Sequence, residues 1–462
     1  MATPSARATG FDTAEEIRRE IGLAGRTGFA MMDVESGTLL EAYDPEGLFI
    51  PASVSKVPTT LYALETLGDD FRYATRLCAT GLLSGRGLEG DLVLSGSGDP
   101  TLDTDGLAAL ADQALRAGVT SITGRLNVDA SALPLLREID PQQPQYVAYN
   151  PSISGLNLNY NRVFFEWGRS GGARELSLEA RARRYSPEVS GIAISTVPSQ
   201  SPVFIWNWQA PQEVWTVSER ALGKDGGRWL PVRNPVGYAS DVFRHVAQAQ
   251  GLTLPRGTPG LTAGAELGRW ESDRLDTIIR DMLRYSTNIT AEALGLTASR
   301  ARGLGPRSLH ESGAAMSAWL RDYAGLKGPM EFHNHSGLTA DTRVSPLQTV
   351  QLLSAAERRS PGRLMGLMHD VPLQAGPRER DIPFTGLASA KTGTLNFVRG
   401  LAGYFEGPNG RRFAFAIYSA EMEARAKADD SIEIPPGSRP WIARARYQER
   451  RLLRSWVARF AA

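Results

Sequence analysis

The hexapeptide PASVSK, residues 51–56, stands between two short strand patterns and a long apolar helix pattern, and its reading decides the fold. Val57, Leu61, Leu64 and Leu67 recur at helical spacing, which predicts a helix from about Ser53 to Leu67 with one buried face. Pro58 removes a backbone donor in the first turns, so a late helix start or a mild kink is expected. Ser53 and Lys56, three residues apart, fall on one face at the amino-terminal end. A serine hydroxyl is a weak nucleophile unless a base stands beside it. A lysine whose pKa is depressed by a helix amino terminus and by burial can be that base. Taken alone, a Ser-x-x-Lys string is common on ordinary helix surfaces.

Upstream, TGFAMMDVESGTLLEAYD (27–44) reads as two strands around a turn at Glu35–Gly37. Downstream, short alternating runs with glycine punctuation extend to Leu94, followed by an amphipathic helix from Asp103 and further strand-like runs between about 160 and 235. Helices dominate after about residue 271. LASAKTGTL, RGLAGYFE and RRFAFAIYSAE then read as three strands, the last two joined by a turn at Pro408-Asn409-Gly410. The final helix, from about Pro440, carries Leu452, Leu453, Trp456, Val457 and Phe460 on one side and is expected to pack on the terminal sheet, with membrane contact at most peripheral. Strands at both ends of the chain imply one α/β domain split by a long insertion, its sheet covered by helices.

The 462 residues carry 51 basic and 50 acidic groups without long runs of one sign, so no nucleic-acid footprint is indicated. One cysteine, Cys78, excludes an intramolecular disulfide, and five scattered histidines, even with His333 and His335 close together, argue against a zinc cage. No metal and no cofactor are expected. No apolar run approaches the roughly 18 residues of a membrane span, and MATPSARATGFDTAEEIRREIG lacks a signal peptide's apolar stretch.

Two further strings give Ser53-x-x-Lys56 its company. YSTN supplies Ser286 and Asn288 where an interhelix turn is expected, and KTGT supplies Lys391, Thr392, Gly393 and Thr394 on a strand. In this order the three motifs resemble the signature of penicillin-recognising serine acyl transferases. SGSGDPTL (95–102), GLNLNYNRV (155–163), NPVGYASDVFRHV (234–246), SGLTADTRVSP (336–346) and KTGTLNFVRGLAGYF (391–405) extend the resemblance to the class C penicillin-binding proteins, the D-alanyl-D-alanine carboxypeptidase/endopeptidase family.

That resemblance implies an α/β (α+β) fold of the transpeptidase/β-lactamase type, a central antiparallel sheet flanked by helices, plus two smaller inserted domains. The implied boundaries are 1–72 with 272–462 for the catalytic domain, 73–99 with 151–271 for a β-rich insertion, and 100–150 for a second small α/β insertion. It implies that Ser53 attacks the D-Ala-D-Ala carbonyl, that Lys56 is the base, that Ser286 relays the proton to the leaving amine, and that Asn288 holds the substrate amide. Lys391 and Thr392 would bind the terminal carboxylate, Gly393 would admit the substrate to the strand edge, and the amides of Ser53 and Thr394 would form the oxyanion hole. Tyr149 and Asn396 complete the implied substrate-binding set. Peptidoglycan stem peptides and β-lactam antibiotics are the implied partners, and a periplasmic or extracytoplasmic location follows from them.

The chain departs from the family pattern where a side chain of the substrate would be read. Family members read Asp-Gly-Ser-Gly-Leu-Ser-Arg where this chain has NHSGLTA, so Asn334, His335 and Ala340 replace an acid, a glycine and an arginine. Arg343 is near but out of register, and Pro144 stands where an aspartate is usual. Weak recognition of a free diaminopimelate end is therefore expected. Two other readings use the same fold: a hydrolase of another D-amino peptide, ester or β-lactam, and a non-catalytic peptidoglycan-binding protein. The intact set Ser53, Lys56, Ser286, Asn288 and Lys391 argues against the last.

Overall fold

The computed structural model describes residues 12–85, 87–170, 173–259, 264–372, 387–407, 410–429 and 431–460. The opening residues 1–11 and the expected turn residues Pro408 and Asn409 lie outside them. The largest sheet has six strands in the order His369–Pro372, Leu387–Leu395, Val398–Glu406, Arg412–Ala420, Arg26–Asp33 and Leu39–Tyr43. All neighbours are antiparallel, and Arg26–Asp33 pairs with Arg412–Ala420 to join the two ends of the chain. The central strands Val398–Glu406 and Arg412–Ala420 are nearly all buried because both faces of the sheet are covered, while the edge strand Leu39–Tyr43 is largely exposed.

On one face lies the terminal helix Ser438–Phe460, whose Leu452, Leu453, Trp456 and Val457 pack with Phe29, Met31, Phe413 and Phe415. The expected apolar side is thus spent on the sheet. On the other face lies the helix Lys56–Leu67, preceded by a 3-10 turn at Ala52–Ser55. The helix starts late, and Pro58, its third residue, occupies a position whose N–H has no intrahelical partner in any case. The expected single buried face is too modest. Every residue from Lys56 to Leu64 is buried, because the helix is enclosed between the sheet and the helices Leu275–Tyr285, Asn288–Ala301 and Leu309–Ala324. No helix among the described residues is long and apolar enough to cross a membrane.

The insertion has its own core, built on a five-stranded sheet in the order Arg256–Pro259, Leu126–Asp129, Leu92–Ser95, Ala74–Ala79 and Ala265–Glu271. The helices Thr104–Arg116 and Pro235–Ala249 pack together beside it. The boundaries expected inside the insertion cut across this sheet. Leu126–Asp129, from the 100–150 stretch, pairs in parallel with Leu92–Ser95 from the 73–99 stretch. Three three-stranded sheets, centred on Arg162–Ser170, Gln212–Ser218 and Gly87–Glu89, complete the β-rich part.

Candidate active site

Three elements carry the expected motifs to one place. Ser53 sits in the 3-10 turn and Lys56 opens the helix that continues it. Ala52 takes a positive φ of 48°, a conformation costly for a residue with a Cβ, directly before Ser53. Ser286 ends the helix Leu275–Tyr285 in the left-handed region at φ 58°, and Asn288 opens the next helix two residues later. Both serines therefore stand at sharp backbone corners.

Lys56 is fully buried, and its Nζ lies 3.0 Å from Ser53 Oγ, 2.7 Å from Asn288 Oδ1 and 2.9 Å from the Ser336 carbonyl oxygen. The orientation of the Asn288 amide is fixed because its Nδ2 donates to the Tyr149 carbonyl at 2.8 Å. Asn288 Oδ1 and the Ser336 carbonyl can only accept. A neutral amine would give its two N–H groups to them and direct its lone pair at the Ser53 hydroxyl. Burial, first, and the neighbouring Lys391 ammonium, second, push the Lys56 pKa far below the usual lysine range, with Glu292 opposing them.

Glu292 is itself fully buried and accepts from the amides of His335 and Ser336, each at 2.9 Å. Burial raises its pKa, against those hydrogen bonds and Lys56. It holds the turn that brings the Ser336 carbonyl to Lys56. Asn334 Oδ1 closes the same turn by accepting from the Gly337 amide at 2.9 Å, so the amide serves where the family has an acid. His335 fits in place of the family glycine because residue 295 is itself a glycine: a Cβ on Gly295 would fall 2.1 Å from the imidazole. The ring is buried, its Nε2 is 2.7 Å from Ser312 Oγ, and burial lowers its pKa to about 3, so it is neutral.

The third wall is the strand Leu387–Leu395. Its pairing with His369–Pro372 covers residues 387–390 and stops short of Lys391, which leaves Lys391–Leu395 without a strand partner on that side among the described residues. Gly393 is required by close approach, since a Cβ there would sit 2.4 Å from the Pro51 carbonyl and 3.1 Å from the Ser53 nitrogen. Lys391 is buried, donates to the Thr392 carbonyl at 2.8 Å, and has its pKa lowered to about 7 by burial and, less, by Arg399. Thr394 Oγ1 accepts from Arg399 Nη1 at 2.7 Å, and Arg399 Nε lies 3.0 Å from both carboxylate oxygens of Glu449 in a buried ion pair. Arg399 stands opposite Thr394 in register across a two-residue turn at Asn396 and Phe397. Hairpin arithmetic on KTGTLNFVR points to Arg399. No local pattern points to Glu292 or Glu449.

A cleft of about 390 Å³ joins these walls. Ser53, Ser286, Asn288, Tyr149, Thr394 and Asn396 line it, while Lys56 and Lys391 stand buried behind its surface and Thr392 and Gly393 lie beside them on the strand. Pro144 also lines the cleft. Arg343 does not reach it, because its Nη1 folds back onto the carbonyls of Ala340 and Thr342. Asn396 is held by its neighbours, donating to the Glu433 carbonyl at 3.1 Å and accepting from Ser438 Oγ at 3.0 Å.

Comparison with known proteins bears on the family and the fold. The model of the D-Ala-D-Ala carboxypeptidase 3 (S13) family matches residues 19–434. A D-alanyl-D-alanine carboxypeptidase of Actinomadura sp. strain R39 is 26% identical over 428 residues, covering 85% of this chain and 77% of that protein. The D-alanyl-D-alanine carboxypeptidase DacB of Haemophilus influenzae is 20% identical over 444 residues, covering 89% and 90%. The crystal structure of penicillin-binding protein 4 (dacB) from H. influenzae superposes with a TM-score of 0.76 at 19% identity, covering 95% of this chain and 99% of that one. The fold is thus the mixed one expected, with antiparallel sheets flanked by helices.

Proposed function

Because the chain belongs to the D-Ala-D-Ala carboxypeptidase 3 (S13) family and is a serine-type carboxypeptidase, we propose that Ser53 performs the reaction through an acyl-enzyme on peptidoglycan stem peptides. The observation that carries this reading is the Lys56 amine, 3.0 Å from Ser53 Oγ with two obligate acceptors as its remaining neighbours. Lys56 takes the Ser53 proton as Oγ attacks the penultimate D-Ala carbonyl. The proton passes through Ser286 to the leaving amine, the C–N bond breaks, and D-alanine departs. Water then hydrolyses the ester on Ser53 by the reverse proton path. The Ser53 and Thr394 amides hold the developing oxyanion. Lys391 and Thr392 receive the terminal carboxylate, Asn288 the substrate amide, and the open edge at Lys391–Leu395 the peptide backbone. Tyr149 and Asn396 flank the peptide in the cleft.

A β-lactam presents the same carbonyl and carboxylate, so it acylates Ser53 and is released slowly. A penicillin-binding protein 4 of H. influenzae has been crystallised with a β-lactam, which supports this part of the reading. Endopeptidase action on cross-links uses the same steps with a larger leaving group. Such substrates place the working enzyme outside the cytoplasm. The test is incubation with purified muropeptides and mass spectrometry of the products. Release of D-alanine from pentapeptide stems is expected, and the absence of both D-alanine and cleaved cross-links overturns the assignment.

The cleft also bears on side-chain choice. Ala340 and Pro144 replace charged groups, and Arg343 is turned away onto its own backbone. The missing contacts are charge-assisted hydrogen bonds, each worth about 1.5–3 kcal/mol. Peptides with a free diaminopimelate end and peptides with a plain aliphatic side chain should therefore give kcat/KM values within about tenfold of each other. A preference for diaminopimelate above about a hundredfold, ~2.7 kcal/mol, would show that another group in the cleft reads it.

A further inference from the structure

His310, Glu331 and His333 lie away from the catalytic cleft lining, and their ligand atoms fall within 4.8 Å of one another. His310 is in the first turn of the helix Leu309–Ala324, and the other two alternate along an extended segment. Phe332 points into the core, so Glu331 and His333 share the outer side. The segment is pinned by paired bonds between Glu331 and Arg343, at 2.9 and 2.8 Å, and by the His333 amide on Thr342 Oγ1 at 3.1 Å. The helix is seated on it through Gly313, where a Cβ would lie 2.3 Å from the Phe332 carbonyl. One turn earlier on that helix face, His310 is brought over His333, with ring centroids 4.5 Å apart, and His333 Nε2 is 3.0 Å from Glu331 Oε1.

We propose that His310, Glu331 and His333 form a binding site for a first-row divalent transition ion, Zn²⁺ in the first instance. Two imidazoles and a carboxylate are the donor set that this class of ion takes, and three protein ligands leave a coordination position for water. Donors of a tetrahedral ion stand about 3.3–3.5 Å apart, given bond lengths near 2.0–2.2 Å. The Glu331–His333 pair is already slightly closer than this, and rotation of the exposed His310 side chain closes the rest. The bound ion ties the helix Leu309–Ala324 to the segment that runs on through His335 to the Ser336 carbonyl on Lys56. It takes no part in the hydrolysis and its site stands whether or not the catalytic assignment does.

The test is calorimetric titration of Zn²⁺ into the full chain, free of any affinity tag and stripped with a chelator. One ion per chain is expected, together with a melting temperature that rises with Zn²⁺ concentration. His310→Ala, His333→Ala and Glu331→Gln should each weaken binding by more than about tenfold, while His245→Ala, in the insertion, should leave it unchanged. The Glu331→Gln variant keeps the side-chain shape and guards against a folding defect. No bound ion at millimolar Zn²⁺, or unchanged binding in both histidine variants, overturns the site.

Discussion

Lys56→Ala is expected to slow penicillin acylation of Ser53 by about a hundredfold to ten-thousandfold, the contribution of a positioned general base. Neither of the amine's other two hydrogen-bond partners can replace it. Among the contacts at this corner, Asn288 offers Lys56 only a carbonyl oxygen and the Ser336 carbonyl cannot take a proton. Lys391, the other lysine at the site, is engaged with the Thr392 carbonyl. The effect should appear in the acylation rate, measured by stopped-flow with a fluorescent penicillin, with the Ser53 carbon skeleton untouched. Near-normal acylation in the variant would exclude Lys56 as the base and shift attention to Ser286.

The second large effect is one of stability. Arg399→Ala leaves the buried Glu449 without its hydrogen-bonded cation and with only the weaker influence of Arg446 and Arg450, and removing one partner of such a pair costs about 3–5 kcal/mol. Burial alone raises the Glu449 pKa, and Arg399 is the foremost group holding it down. The loss should be read as a lower urea midpoint for the catalytic domain. Arg399→Met with Glu449→Met should recover much of it, because the buried charge is then gone as well as its partner. Thr394 Oγ1 loses its donor in both variants, so a decline in kcat/KM that persists in the double variant would separate the site effect from the folding effect. A single-variant change below about 1 kcal/mol would show that the pair is solvated in solution.

The catalytic sheet was legible because its strands are local patterns: TGFAMMD, LASAKTGTL and RRFAFAIYSA are short apolar runs bounded by turn residues. The Ser53–Lys56 pair was legible because three residues on a helical turn bring side chains together without help from the rest of the chain. What lay beyond reach are contacts made across the fold. Lys56 meets Asn288 at 232 residues' separation and Ser336 at 280, and neither spacing has a period. Glu292 looks like one more polar residue in NITAEALGL, yet it is fully buried. The helix around Leu61 reads as one-sided because Thr59 and Thr60 are polar, although both hydroxyls bond back to carbonyls and are buried. In the sequence His333 stands beside His335, whereas its neighbours in space are His310 and Glu331. The inner boundaries of the insertion failed to follow its sheet because a parallel pairing, Leu126–Asp129 beside Leu92–Ser95, leaves no hairpin signal.

Intact-mass analysis of the wild-type chain and of Ser53→Ala after exposure to benzylpenicillin tests the central claim most directly. A single covalent adduct on the wild-type chain, mapped by peptide digestion to the segment containing PASVSK and absent from Ser53→Ala, is the result predicted. An adduct that persists in Ser53→Ala, or that maps to Ser286 or elsewhere, would contradict it.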